Sequence, residues 1–297
     1  MGISWRDRSP AAAKVIETAD RLLQDQLHRP LSEYIFNNTD AATLSRTDIA
    51  QPAIFVTSMA CWAGITDLRI LQHDQLAVTA GLSLGEYTAL TVAGAISFED
   101  ALRLVTLRGR AMQDAAEASD GGMVALIGAD EATANDVVQA TRENDILVAA
   151  NFNAPGQVVL SGASAAIDRA ASYAADEKKL RVAKLDVAGA FHSPLMEPAA
   201  ERLAQALEST EINLPSVPVL SNVTGAPHEM GSVRHLLVSQ LTSSVRWADC
   251  CNYIRQTYPD ASWTELAPGR TLTGIMRKID RKIKVQNLAE APVEAEA

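Results

Sequence analysis

Ser83 stands in the run Leu76-Ala77-Val78-Thr79-Ala80-Gly81-Leu82-Ser83-Leu84-Gly85-Glu86-Tyr87-Thr88-Ala89-Leu90. An apolar stretch, a Gly-x-Ser-x-Gly turn and then a helical pattern are the marks of a nucleophile elbow. Glycines on either side let the backbone fold tightly around one serine, whose hydroxyl is left exposed at the strand-to-helix corner. The amide of Leu84, at the helix start, points toward any oxyanion formed on a carbonyl that Ser83 attacks. The same five-residue pattern arises by chance in glycine-rich loops, but the strand before it and the helix after it favour the nucleophile.

A serine needs a base, and the chain has five histidines. His28, His73, His228 and His235 lie in polar or turn contexts and are expected at the surface. His192 lies in Val187-Ala188-Gly189-Ala190-Phe191-His192-Ser193-Pro194-Leu195-Met196, a small-residue loop that leaves a strand and enters a helix. Such a loop can bring an imidazole to the elbow across a domain junction. Taken alone the segment fits a helix-capping or structural histidine equally well; beside Ser83 the base reading gains. Arg108 has Leu104 and Met112 at i−4 and i+4, so it sits on an apolar stripe and turns inward. Its planar fork matches a carboxylate through two hydrogen bonds. Without further help, a salt bridge within the protein or simple snorkelling accounts for it somewhat better than a ligand does.

The elements that must hold these side chains follow from the patterning. Residues 10–27 read as an amphipathic helix, and Asp48–Asp67 as a buried one. Its uncharged core, Ile49–Thr66, contains Gln51 and Pro52, which suits a core helix starting near Pro52 better than a membrane span. A helix from Leu84 to about Gly94 follows the elbow. Ser97-Phe98-Glu99-Asp100 resembles a capping box opening the next helix, to about Ala118. After Ser119-Asp120-Gly121-Gly122 the order becomes strand (Met123–Gly128), helix (Asp130–Arg142), strand (Leu147–Phe152), strand (Gln157–Gly162), helix (Ala163–Lys178), strand (Arg181–Val187). That is the ferredoxin-like β-α-β-β-α-β pattern, with Pro155-Gly156 turning the middle pair. Helix (Pro194–Glu208), short strand (Val217–Asn222), helices (Val233–Leu241 and Trp247–Tyr258), strand (Ser262–Leu266) and helix (Thr271–Asp280) complete the chain. Strands alternating with helices imply a parallel sheet.

The expected fold is therefore α/β: a large parallel-sheet domain from 1–118 and 189–285, a ferredoxin-like domain inserted at 119–188, and an unstructured acidic tail at 286–297. With 297 residues, 47% of them hydrophobic and 21% charged, the chain can bury a sizeable core. A formal net charge of −10 disfavours nucleic-acid binding, because no basic surplus is available to displace counterions. Cys61, Cys250 and Cys251 are few, odd in number and lack zinc-ligand spacing, which suggests a reducing, cytoplasmic protein. The N-terminus carries no apolar signal core and no myristoylation pattern.

Six ordered segments sharpen this reading: residues 81–90, Leu107–Gln113, Asn151–Val159, Gly189–Met196, Gln240–Trp247 and Pro268–Gly274. Together they resemble the malonyl-CoA:acyl-carrier-protein transacylase family and the related acyltransferase domains of polyketide synthases, over about residues 1–285. The resemblance implies an α/β-hydrolase-like large domain. It implies a ping-pong transfer in which Ser83 takes malonyl from coenzyme A and hands it to the phosphopantetheine thiol of acyl carrier protein, without a metal or other cofactor. His192 would be the base, oriented by the backbone carbonyl of Gln240. Arg108 would bind the malonyl carboxylate, Gln51 would line the site, Leu84 would supply an oxyanion amide, and Phe191 matches the variant associated with malonyl rather than methylmalonyl. The acidic chain leaves room for a small basic patch that docks the carrier, and the resemblance points to a monomer acting away from membranes and nucleic acid.

Relatives carry an apolar strand and a Gly-Gln-Gly-type motif ahead of the point matching Met1-Gly2. That departure suggests a start assigned too far downstream or a real truncation with impaired catalysis. Two alternatives stay open: a serine hydrolase or thioesterase, with Asp145, Asp168 and Asp186 between Ser83 and His192, and a low-activity carrier-binding homologue.

Overall fold

The computed structural model describes residues 1–37, 41–229 and 231–292, Ala41 by its backbone alone. In chain order the elements are α1 (Ile3–Arg8), α2 (Pro10–Leu23), α3 (Leu31–Phe36), α4 (Ala41–Ser45), α5 (Thr47–Asp67), α6 (Gly85–Val92), α7 (Phe98–Glu117), β1 (Gly121–Ile127), α8 (Glu131–Thr141), β2 (Leu147–Ala154), β3 (Gln157–Ala163), α9 (Ser164–Asp176), β4 (Arg181–Lys184), α10 (Glu197–Glu208), α11 (Val233–Ser239), α12 (Trp247–Thr257), β5 (Trp263–Leu266), α13 (Thr271–Ile279) and β6 (Val285–Leu288). They form two compact units. The first comprises Met1–Gly109, Glu211–Val219 and Tyr258–Ala297; the second comprises Arg110–Thr210 and Leu220–Thr257.

In the first unit the apolar helix α5 is the core. Phe55, Val56, Ala60 and Ile65 are fully buried, and α1, α2, α3 and α6 pack around it. It is long and apolar enough to cross a membrane, yet 78% of its most apolar stretch is covered by the protein itself. It starts at Thr47, so Pro52 lies inside the helix rather than at its start. Gly64 lets α1 approach: a Cβ there would meet the Trp5 ring at 2.5 Å. Trp5 is itself fully buried, and its Nε1 donates to the carbonyl of Leu288 at 2.9 Å.

That contact corrects one expectation. The segment from 286 is not an unstructured tail: β6 pairs in parallel with β5, in register Trp263–Val285 to Leu266–Leu288. Leu288 is buried, and Ser4 Oγ donates to Glu290 at 2.5 Å. The acidic composition masked a strand whose inward residue has a partner 283 positions away. Residues 293–297 lie outside the described part. On β5, Glu265 is 5% exposed and accepts from the amides of Leu272 and Thr273 at 2.7 and 2.9 Å, closing the start of α13. A carboxylate is favoured there by the exposed amides and the helix dipole.

A second expectation also changes. The patterning ahead of the elbow predicts a strand in a large parallel sheet, but among the described residues that stretch pairs only through Thr79, whose amide donates to Pro218 at 2.9 Å in a parallel bridge with Val219. Within the first unit, parallel pairing among the described residues therefore occurs in two pieces, this bridge and β5–β6. Among the described residues no assigned strand joins them. Parallel ladders are somewhat weaker per residue and need neighbours on both sides to extend.

The second unit is built on a four-stranded antiparallel sheet in the order β2-β3-β1-β4. Alternation along β1 explains why both faces are covered. Val124 and Leu126 face α8 and α9 with Val137, Leu160, Ile167 and Ala170, while Met123 and Ala125 face the other way with Ala150 and Val159. The β2–β3 turn uses Gly156 at φ 72°, a left-handed conformation open to glycine at little cost. Strand β2 carries register shifts between Ala149 and Asn151 and between Phe152 and Ala154, irregularities that bend a strand locally.

Candidate active site

In the first unit the elbow is a strained corner. Ser83 has φ 51°, in a region that costs most residues energy and is often occupied at functional sites. Gly81 makes the corner possible, because a Cβ there would lie 2.0 Å from the backbone of Gly85. The amides of Gly85, Glu86 and Tyr87 donate to the carbonyls of Leu82, Ser83 and Leu84 as α6 begins. The amide of Leu84 has no hydrogen-bond acceptor among the described residues. An orphan donor at the head of a helix, one residue past a serine, suits an oxyanion.

Arg108, on α7, is 1% exposed. Its Nη2 donates to Ser83 Oγ at 3.0 Å and its Nη1 to Gln51 Oε1 at 2.6 Å. Gln51 is buried on α5. The close approach of α5 and α7 rests on Gly109, whose Cβ would come within 2.8 Å of the Thr47 carbonyl. Burial lowers the pKa of the guanidinium below that of a solvated arginine, and Tyr87 and Glu86 oppose the shift. It remains cationic, because an arginine does not lose its proton in proteins. The Tyr87 ring supports it, 5.6 Å from ring centroid to guanidinium carbon. Burial raises the phenol's own pKa, so the ring stays neutral.

In the second unit, His192 is 5% exposed with φ 57°, a second left-handed non-glycine residue. Its Nδ1 lies 2.8 Å from the carbonyl oxygen of Gln240, which is itself fully buried. A carbonyl can only accept, so Nδ1 carries a proton; in the neutral imidazole this leaves the lone pair on Nε2, the form a general base requires. The next residue fixes the loop. Ser193 Oγ donates to the Ala190 carbonyl at 2.7 Å and accepts from the Leu195 amide at 3.2 Å. Phe191 packs against the sheet face formed by Met123, Ala125, Ala150 and Val159.

Ser83, Leu84, Gln51 and Arg108 thus gather in one unit, and Phe191, His192 and Gln240 in the other. His28, His73 and His235 are exposed and His228 is half-buried. Tyr87 and the fully buried Glu86 were not singled out from the sequence. The available signal was a charged and an aromatic residue in the first turn of an otherwise apolar helix.

An α/β chain whose serine sits at such a corner, with a buried guanidinium on its hydroxyl, has the equipment of an acyl-transfer enzyme. The chain belongs to the acyl transferase domain family, whose profile matches residues 1–292, and it is an acyltransferase. It is 36% identical over 286 residues to malonyl CoA-acyl carrier protein transacylase of Bacillus subtilis (strain 168), covering 96% of this chain and 87% of that protein. The crystal structure of acyl-carrier-protein-S-malonyltransferase from Bartonella henselae superposes with a TM-score of 0.91 at 35% identity, covering 98% of this chain and 91% of the other. A solved complex of a type II polyketide-synthase acyl carrier protein with its malonyl-transacylase matches with a TM-score of 0.90 at 31% identity, covering 98% and 92%.

Proposed function

We propose that the chain transfers malonyl from malonyl-CoA to the phosphopantetheine thiol of acyl carrier protein through an ester on Ser83. The observation that carries this reading is the contact between Arg108 and Ser83. A buried guanidinium 3.0 Å from a nucleophilic hydroxyl suits an acyl group whose free carboxylate lies one methylene from the reacting carbonyl.

In the first half-reaction Ser83 Oγ attacks the thioester carbonyl while its proton passes to His192 Nε2. The Leu84 amide and the head of α6 hold the oxyanion. The carbon–sulfur bond then breaks, and the coenzyme A sulfur takes the proton from His192. In the second half the carrier's thiol gives its proton to His192 and attacks the ester, and the proton returns to Ser83 Oγ as the carbon–oxygen bond breaks. Arg108 holds the malonyl carboxylate throughout, and Gln51 fixes one arm of its fork. Thioester, ester and thioester lie close in energy, so the residues must stabilise an oxyanion and exclude water rather than supply a driving force. No metal, nucleotide or redox group enters this scheme.

The architecture that suits this reading is a large α/β-hydrolase-like domain, 1–118 and 189–285, carrying a ferredoxin-like domain at 119–188. The β2-β3-β1-β4 order supports the latter, and the parallel pairs at Thr79–Val219 and β5–β6 support the former. A monomer working in the cytoplasm fits the same reading.

Intact mass spectrometry after brief exposure to malonyl-CoA or acetyl-CoA tests it. A malonyl adduct that forms selectively and is absent from Ser83→Ala is expected. A folded protein that takes no adduct, or one that only hydrolyses malonyl-CoA, overturns the transfer.

A further inference from the structure

The bond from His192 to Gln240 uses a backbone carbonyl, so the place of the acceptor depends on the path of the main chain through this fully buried residue. The chain on either side fixes that path. On one side it ends α11, where the amides of Leu241 and Thr242 donate to Val238 and Ser239 at 3.2 Å each. On the other side, residues 244–246 lie along the free edge of β2 as a short parallel addition to the sheet. The Val245 amide donates to Ala150 at 2.8 Å, the Phe152 amide donates to Val245 at 2.9 Å, and Ser244 Oγ donates to Ala149 at 2.6 Å. The Arg246 amide donates to Asn222 at 2.8 Å.

The side chain of Arg246 closes this edge. Nε donates to Asp249 Oδ2 at 2.5 Å, at the start of α12. Nη1 and Nη2 reach the two oxygens of Glu131 at 3.3 and 3.2 Å, at the start of α8. The guanidinium carbon lies 5.0 Å from the centroid of the Phe152 ring. One side chain thus joins α12, α8 and β2 at the point where the carbonyl-bearing loop meets the sheet. Phe191, the residue before the histidine, rests on a face of the same sheet. Both ends of the His192–Gln240 bond are therefore referred to one platform.

We propose that Arg246 is a positioning residue for His192: by clamping residues 244–246 to the β2 edge it holds the Gln240 carbonyl where it fixes the tautomer and direction of the imidazole. The role lies in placing the base and not in binding substrate, and it rests on the assignment of His192 as that base. An exposed ion pair alone contributes little. Arg246 is only 31% exposed, binds Glu131 through two donors and is stacked on a ring, a geometry that a lysine cannot reproduce.

The test uses the whole chain, malonyl-CoA and four variants. The rate at which Ser83 gains malonyl is followed by rapid quench and intact mass. The low-field imidazole N–H proton resonance, assigned by its loss in His192→Ala, reports the Gln240 bond directly. Arg246→Gln is expected to slow acylation by about 10- to 100-fold, the scale of a misplaced catalytic group. Its half-saturating malonyl-CoA concentration stays unchanged and the resonance shifts or broadens. Arg246→Lys recovers part of the rate. Glu131→Gln, which loosens the same clamp from an exposed position, moves both readouts the same way by a smaller factor. A folded Arg246→Gln with the parent rate and resonance overturns the proposal; if that variant does not fold, the same result in Glu131→Gln overturns it. Should His192→Ala acylate at the parent rate, the assignment of the base fails instead, and the resonance in Arg246→Gln still decides the clamp.

Discussion

Replacing Arg108 by glutamine separates the role proposed for it, recognition of a charged acyl group, from its support of the core. The guanidinium is 1% exposed, so a malonyl carboxylate bound there would be shielded from water and held by charge-assisted bonds. Leaving one partner of such a buried pair without the other costs on the order of 2–5 kcal/mol. Taking about 3 kcal/mol, at 1.36 kcal/mol per decade, gives a loss of roughly 150-fold in kcat/KM for malonyl-CoA. Acetyl-CoA offers Arg108 no carboxylate, so its kcat/KM should stay level or rise, and the malonyl-to-acetyl preference should fall by about 100-fold or more. Stability should move much less. Gln51 Oε1 loses a donor at a cost of about 1–3 kcal/mol, but removing a buried charge offsets part of it. Acylation rates with both thioesters, beside a melting curve, read the two effects apart. A folded Arg108→Gln that keeps its preference for malonyl within threefold would show that the carboxylate is recognised elsewhere.

Other perturbations test the frame. Gly81→Ala would place a Cβ 2.0 Å from the Gly85 backbone, so a loss beyond the about 1–3 kcal/mol of ordinary overpacking is expected, seen as a lower Tm together with failed acylation. An unchanged Tm would mean that the elbow is looser than described. Burial pushes the Cys61 and Cys251 thiols from 9.0 up to about 12. Both should resist iodoacetamide in the folded protein near neutral pH and react on denaturation; labelling of the native protein would refute this. The sign for stability follows from the direction of the shift. The contribution is intact below pH 9 and fades between 9 and 12, because the unfolded thiols ionise first. Each thiol should therefore cost about 1.4 kcal/mol of stability at pH 10, and a Cys61→Ala, Cys251→Ala pair should flatten that part of the pH–stability curve.

Some of this organisation is written locally and some is not. The elbow was legible because its parts are adjacent in sequence. The βαββαβ order was legible because turn residues and two hydrophobic periods alternate on a short scale. Gln51 and Arg108 stand 57 positions apart, and their hydrogen bond has no local signature; Gln51 was named only through a family resemblance. The role proposed for Gln240 falls to its backbone carbonyl, which every residue type carries, so the side chain does not announce it. The β6 strand was missed because lysines and acidic residues surround it, while its inward residue, Leu288, is defined by Trp5 and Cys61 near the other end of the chain. The parallel sheet was overstated for a related reason. Alternation of strands and helices says that extended segments are buried, but not which segment lies beside which.

The two residues assigned the proton transfer, Ser83 and His192, are both non-glycine residues with positive φ, at 51° and 57°. Such conformations cost on the order of 1–3 kcal/mol each and persist only where the surroundings over-determine them. At Ser83 the constraints are the Gly81–Gly85 contact, the amides opening α6 and the donor from Arg108. This predicts an inversion of the usual ranking of small residues. Ser83→Ala and Ser83→Gly both lose the hydroxyl and its bond to Arg108, and both should be inactive. Glycine also relieves the Cβ strain, although it gains more freedom on unfolding. Ser83→Gly should therefore be the more stable of the two by about 1 kcal/mol net. At this chain length that difference should appear as a Tm higher by about 2 °C. A mid-helix or mid-strand site would show the opposite order. If Ser83→Ala melts above Ser83→Gly, the corner is not strained, and the link drawn here between backbone conformation and nucleophile placement fails.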